Sequence, residues 1–439
     1  MRASFSLISA LLVACFSREA LAQAWVNSPH AEGIGVRVGD LELHPSLGGE
    51  FGYDSNYYRA APSEGVVDVL RLRVTPSLTL NTLGAARRAG APATTVAFAA
   101  AAHAAYNEII PLESAESDAS RRRDVGAGVN AKLDLFPRGK IGFDMLGAYL
   151  RVIEPDGSTV NLGGEGFNRS TLHAGAGATW RPGGGMFDWR WGYGITYNYF
   201  HDKTYDPLTN LQHAIGTRGR WRFLPRSSLL FDSEYKIVRY TDARAVQTDG
   251  EALEARVGFH GLVTYHLALL GLVGWASSFY DARPGGVAAT QYDSLSAKAE
   301  ARWFIQKRPN LDDATVVSGI SSIALGYTRS FDNSYLGSFH QRDRGYLNFS
   351  TFLVGAVVGG LDFGVSRVAF PRSDVGAVRE PAFDQWRLDG RAFAEYRFTS
   401  TLAANATFEY DRVRTATLVR GQDLDYDRWL ALVGVRWFL

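Results

Sequence analysis

Phe187-Asp188-Trp189-Arg190-Trp191-Gly192-Tyr193-Gly194-Ile195-Thr196-Tyr197-Asn198-Tyr199 alternates without a break. Every odd position is apolar or aromatic, and every even one is charged, polar or glycine. A period of two places the two sets on opposite faces of an extended strand, whereas a helix would scatter both around its axis. The pattern continues in both directions. Leu229, Phe231, Tyr235 and Ile237 oppose Asp232, Glu234 and Lys236. Trp386, Leu388, Ala392, Ala394 and Tyr396 oppose Arg387, Asp389, Arg391, Glu395 and Arg397. Such segments number about eighteen. They start near residues 41, 69, 95, 124, 140, 170, 186, 211, 228, 252, 268, 293, 315, 345, 360, 385, 401 and 427. Those near 315, 345 and 360 alternate poorly.

The connections alternate in length. Phe136–Gly139, Arg181–Gly185, Leu224–Ser227, Tyr265–His266 and Thr399–Ser400 are short. Between them lie long polar stretches at 54–67, 107–122, 152–168, 201–210, 241–251, 281–291, 329–342, 371–383 and 412–425. After residue 16 no run approaches the roughly 18 apolar residues of a transmembrane helix. Hydrocarbon offers the backbone no hydrogen-bond partner, so strands can cross it only as a closed barrel. The expected fold is therefore all-β: a transmembrane antiparallel up-and-down barrel of about 18 strands, with short periplasmic turns and long extracellular loops. A soluble sandwich alternates apolar and polar residues too, but has no reason to alternate long and short connections. Tyr53, Tyr57, Tyr58, Tyr106, Tyr149, Tyr240, Tyr280, Tyr292 and Tyr327 fall where strands meet loops. They are expected to form an interfacial girdle.

The bulk composition agrees. Basic and acidic residues number 46 and 45, so no nucleic-acid partner is expected. Aromatics reach 13% in a chain of average hydropathy, which suits one greasy face and one polar face. Residues 1–22 read as a signal peptide, with Arg2 as the positive start, Phe5–Phe16 as the apolar core and Ala20-Leu21-Ala22 as the cleavage site. Ala22-Gln23-Ala24 is a second candidate site. Leu12-Val13-Ala14-Cys15 also fits a lipobox, but the segment before it is very short. Removal of Cys15 with the signal leaves a mature chain without cysteine. Residues 23–35 form a short periplasmic segment, and 36–439 form the barrel.

The polar face is expected to line a lumen with charges of both signs. Arg218, Arg220 and Arg222 alternate down one strand, and pairing across the 224–227 turn sets Arg220 near Asp232 and Arg218 near Glu234. Arg71, Arg73, Arg190, Lys236, Lys298, Glu300 and Arg302 belong to the same lining, as do Arg387, Asp389, Arg391 and Glu395, with Glu409 and Asp411 opposite. Facing opposite charges stabilise neighbouring strands modestly. The alternatives are an arginine ladder that guides an anionic solute and a salt-bridged wall. Arg71 and Arg73 have no obvious partner. Phe136, Phe304 and Phe393 supply scattered rings on which sugars could stack. His103, His173 and His260 share the lumen face without a second ligand at metal spacing. His201-Asp202 sits in a loop without an identifiable partner. Asp423, Asp425 and Asp427 share one face and are the one candidate cation cluster. No catalytic residue and no cofactor is expected.

Trp429, Ala431, Val433, Val435, Trp437 and Leu439 form one face of a final strand. This strand resembles the β-signal read by the barrel assembly machinery, with Phe438 penultimate rather than terminal. Near the start stand Leu43-His44-Pro45-Ser46-Leu47 and Glu50-Phe51-Gly52-Tyr53-Asp54-Ser55-Asn56-Tyr57-Tyr58-Arg59. These stretches resemble the outer-membrane beta-barrel porin family often found with exopolysaccharide and capsule operons. The resemblance implies passage of a polysaccharide substrate, handed over by a separate periplasmic export protein, with outer-membrane lipid and lipopolysaccharide as surroundings. A general diffusion porin for small solutes is the alternative. An outer-membrane enzyme with a loop-borne site and an adhesive barrel are the rival classes.

Overall fold

A computed structural model describes residues 35–82, 95–112, 123–152, 168–201, 203–242, 247–281, 290–305, 321–334, 338–353, 356–375, 378–419 and 423–439. The export signal, Cys15 and nearly all of the 23–35 segment lie outside these residues. Eighteen long strands form the wall. They are β1 (Leu41–Asp54), β2 (Val69–Thr82), β3 (Val96–Pro111), β4 (Arg123–Leu135), β5 (Ile141–Val152) and β6 (Arg169–Trp180). Then come β7 (Phe187–Phe200), β8 (Asn210–Leu224), β9 (Ser227–Tyr240), β10 (Gly250–Leu262), β11 (Leu267–Tyr280) and β12 (Asp293–Phe304). The last six are β13 (Ser322–Asn333), β14 (Phe339–Leu353), β15 (Val357–Phe370), β16 (Phe383–Arg397), β17 (Leu402–Thr415) and β18 (Tyr426–Phe438).

Each strand pairs antiparallel with the next. β18 then pairs with β1 through Ser46↔Phe438 to Asp54↔Leu430, which closes the cylinder. Closure removes every sheet edge of the wall, the condition for burying a sheet in lipid. A short strand, Val36–Val38, folds back on Leu41–Leu43 after a turn at Gly39, whose φ of +61° suits a residue without a side chain.

The two faces invert the usual rule of burial. Large apolar side chains such as Val257, Leu325 and Val433 stand more than half exposed on the outside. Charged residues at the intervening positions point inward and are partly covered. Aromatic residues border the apolar band at both ends. Trp180, Trp189, Trp221, Trp303 and Trp437 ring the short-turn end; Tyr149, Tyr199, Trp275, Tyr327, Trp386 and Trp429 ring the loop end. Several of the expected girdle tyrosines are elsewhere, Tyr58 among them, packed against the buried cluster of Tyr57. Tyr57 is buried with Val69 and Ile109, and Tyr280 and Tyr292 are buried with Phe339.

Two strands begin away from their expected places. β13 starts at Ser322 rather than near 315, and β14 at Phe339 rather than near 345. The stretch 329–342 is thus strand over 329–333 and 339–342. Polar residues enter the outward-facing positions here: Asp343 accepts from Arg329 Nε at 2.6 Å and is bonded by Tyr327 and by Gln341 at 2.7 Å. Cross-strand charge pairs replace apolar contacts above the lipid band, so alternation fades while the ladder continues. Two turn-side connections, 83–95 and 305–321, are as long as loops, so the alternation of lengths is not strict.

Candidate functional site

The candidate site is the lumen, whose wall divides into two regions. One is the seam, where β16, β17 and β18 meet β1 and β2. Asp54 ends β1 between its two neighbours. It accepts from Arg71 Nη1 of β2 at 3.1 Å and from Arg428 Nε and Nη2 of β18 at 2.8 and 2.6 Å. Asp54 and Arg71 are fully buried. Arg71 also donates to Asn107 at 3.2 Å, while Arg73 lies 3.4 Å from Glu50. The expectation that Arg71 and Arg73 stand unpaired is therefore corrected. Their partners lie on β1 and β3, at a register that only the assembled sheet defines.

The seam is covered by the first loop. Asn56 donates to the Ala60 carbonyl at 2.8 Å and accepts the Ala60 amide at 2.9 Å, closing a tight turn. Its amide also reaches the Asp427 carbonyl at 3.2 Å. This turn carries Tyr57 into the buried cluster and sets Arg59, at φ +55°, with its Nε 3.7 Å from Asp411. Asp411 also accepts from Arg387 at 2.9 Å and from the Tyr426 hydroxyl at 2.9 Å. The Tyr53–Arg59 stretch that carried the family resemblance thus clamps the first, second and last strands together.

The network continues along the seam. Glu395 binds Arg397 at 3.1 Å and also binds Arg436. Arg391 lies 3.5 Å from Glu409, and Asp389 pairs with Arg342 at 3.5 Å and with Arg344. On the inward positions of β16, β17, β18, β1 and β2 arginines and carboxylates are equal in number, so these five strands carry no net charge toward the lumen.

The opposite wall, β7 to β12, differs. Asp232 is held between Arg218 of β8 at 3.1 Å and Arg256 of β10 at 3.3 Å. Arg218 is not opposite Glu234, and Arg220 pairs with Asp188 of β7 rather than with Asp232. The turn consists of Pro225-Arg226 alone, with an irregularity at Ser227/Ser228, so every pair beyond it sits two residues from the expected register. Arg190 binds Asp144 at 2.9 Å. Glu300 accepts from Arg302 at 3.0 Å and from the Tyr346 hydroxyl at 2.7 Å. Arg222, Glu234, Lys236 and Lys298 have no ion partner among the described residues. Basic side chains outnumber acidic ones on this wall, and several are solvated: Arg218 is 31% exposed and Arg302 41%.

Other candidates resolve differently. Phe304 and Phe393 are buried, and Phe136 occupies a turn at φ +50° with its ring half exposed. The rings on β12 and β16 therefore present no free face for a sugar. His173 Nδ1 meets the Thr196 hydroxyl at 2.7 Å, and no group of metal-ligating side chains occurs among the described residues. His201 meets the Ser170 hydroxyl at 2.8 Å, and Asp202 lies outside the described residues. Asp423 accepts the Asp425 amide at 3.0 Å, Asp425 the Thr415 amide, and Asp427 pairs with Arg412 at 3.4 Å and with Arg414. These carboxylates are occupied in turn bonds and ion pairs, not gathered around a cation. In the last strand Trp429, Val433, Val435 and Trp437 face outward. Phe438 is buried inward beneath the guanidiniums of Arg397 and Arg436, and the Leu439 amide bonds the Pro45 carbonyl at 3.1 Å.

No protein-family model matches the chain, and no curated protein does. Among solved structures, OpdQ from Pseudomonas aeruginosa is similar at 10% identity and TM-score 0.45, over 92% of this chain and 99% of that one. A BenF-like porin from Pseudomonas fluorescens Pf-5 is similar at 10% identity and TM-score 0.46, over 92% and 100%. The FrpB iron transporter from Neisseria meningitidis gives 9% identity and TM-score 0.44, over 85% of this chain and 62% of that one.

Proposed function

We propose that this chain is an outer-membrane channel through which small hydrophilic solutes diffuse, with a preference for anions. The observation that carries this reading is the contrast across the lumen. Arginines and carboxylates balance on the strands of the seam, whereas on the β7–β12 wall basic residues outnumber acidic ones, and Arg222, Lys236 and Lys298 have no ion partner among the described residues, against the one carboxylate, Glu234, that also has none. A solvated wall of one net sign raises the local concentration of counter-ions in a confined aqueous path. The apolar band between two aromatic borders supports residence in a bilayer, with the long connections outside. A barrel of this strand number leaves room for water unless loops fill it.

Export of a polysaccharide, the expectation drawn from the resemblance, is supported less well. It would use stacking rings and unpaired arginines along the path. Phe304 and Phe393 are buried, and Arg71 and Arg73 are bound to Asp54 and Glu50. The remaining lumen groups suit small solutes.

The test is conductance of the purified protein in planar bilayers. Stepwise ohmic currents are expected, with a reversal potential of anion sign under a potassium chloride gradient. Absence of conductance would reject the channel; cation preference would reject the assigned wall.

A further inference from the structure

We propose that the turn end of the β7–β12 wall holds an oxyanion-binding site formed by Arg220 and Arg222. This site rests on the channel reading and names the chemistry of what the channel takes.

Arg220 and Arg222 alternate inward at the end of β8, beside the 181–186 connection. Arg220 faces Asp188 across the β7–β8 ladder and is ion-paired with it. Arg181 approaches the same carboxylate, with Nε 3.8 Å from Oδ1. Arg222 faces Ser228 across the β8–β9 turn and has no ion partner among the described residues. Arg220 and Arg181 thus share Asp188, Arg181 also lies near Asp134 and Asp144, and Arg222 beside them adds a guanidinium with no carboxylate of its own among the described residues.

The hydrogen-bond accounting points the same way. Arg220 Nε and Arg222 Nη2 are buried without a hydrogen-bond acceptor, and Asp188 Oδ1 is buried without a hydrogen-bond donor. Buried N–H groups of a cation are costly to leave unmade, so an arrangement that keeps two of them together is suited to a ligand that accepts from both. Guanidinium forks match the oxygen spacing of carboxylate and phosphate groups. The neighbouring turn adds Arg138 and Lys140, both exposed, and no acid. These charges would draw an anion toward the mouth, and Arg220 and Arg222 would hold it.

Inorganic phosphate and acetate are titrated into detergent-folded protein by calorimetry, which requires no transport. Phosphate is expected to bind, and acetate more weakly if two oxygens on one centre are not enough to use both arginines. Arg222→Gln should weaken phosphate binding about tenfold, the effect of one charge-assisted bond. Arg222→Lys, which keeps the charge but loses the fork, should weaken it less. Arg367→Gln, on the outer face, should leave it unchanged. Unchanged heat-dependent gel mobility shows that each variant is folded. Phosphate binding that is equal in wild type and Arg222→Gln, or absent from wild type, would overturn the site. The same preparation run in planar bilayers separates the two readings: conductance with no Arg222-dependent phosphate binding rejects the site and keeps the channel, whereas binding without conductance rejects the channel.

Discussion

Asp54 on the seam and Asp232 on the far wall are built alike. Each lies on one strand and holds an arginine from the strand on either side: Arg71 and Arg428 in one case, Arg218 and Arg256 in the other. Their surroundings differ. The first loop folds over Asp54 and buries its triad, whereas the triad of Asp232 is only partly covered, with Arg218 31% exposed. The same three side chains thus form a lock in one place and a solvated lining in the other. Burial decides which, because charges out of water depend on one another far more than charges in it.

The comparison breaks most readily at Asp54. Asp54→Ala leaves two buried arginines without their carboxylate and should cost about 3–5 kcal/mol. It is measured by urea unfolding in detergent micelles, read from gel mobility without boiling. Next is the cover itself. Tyr57→Ala removes the ring that packs on Val69 and Ile109 and should cost about 3 kcal/mol, as for other buried aromatics. It should also make Asp54 sensitive to salt. The wall answers differently. Arg222→Glu with Lys298→Glu should move the reversal potential from anion toward cation preference. Last and smallest, Asp232→Ala should cost about 1 kcal/mol at low salt and less in 1 M salt, where the Debye length falls to about 3 Å. Equal costs for Asp54→Ala and Asp232→Ala would remove the distinction between the two regions.

The faces can be checked directly. Cysteines introduced at Arg190, Thr196 and Lys236 should react with a membrane-impermeant thiol reagent in bilayers, and those at Trp189, Trp191 and Phe231 should not. The reverse pattern would invert the barrel.

How much was legible beforehand follows from the range of each interaction. Alternation is local. Trp189, Trp191 and Tyr193 reveal an outward face because adjacent side chains on any strand point opposite ways. Parity likewise placed Arg218, Arg220 and Arg222 on the lumen side. It failed for β14, where Asp343 and Gln341 replace apolar residues above the lipid band. Position at a strand end, in turn, is no guide to an interfacial ring for Tyr280 and Tyr292, which lie in a buried cluster. Asp54 and Arg428 belong to the site and drew no notice as a pair, although both have the inward parity of their strands.

That this chain is a wall of long antiparallel strands with one apolar and one charged face is dictated by the order of its residues alone. That information is written in a period of two and needs no distant contact. Which charges become neighbours depends instead on how the strands assemble. A slip of two residues at Pro225-Arg226 preserves every face yet gives Arg220 to Asp188 and Arg218 to Asp232. Closure brings Arg428 within 2.6 Å of Asp54, although 374 residues separate them along the chain. Register and closure are set by turn geometry and by the packing of strands far apart in the chain, so the pairing that leaves Arg222 without an ion partner among the described residues is visible only in the closed barrel.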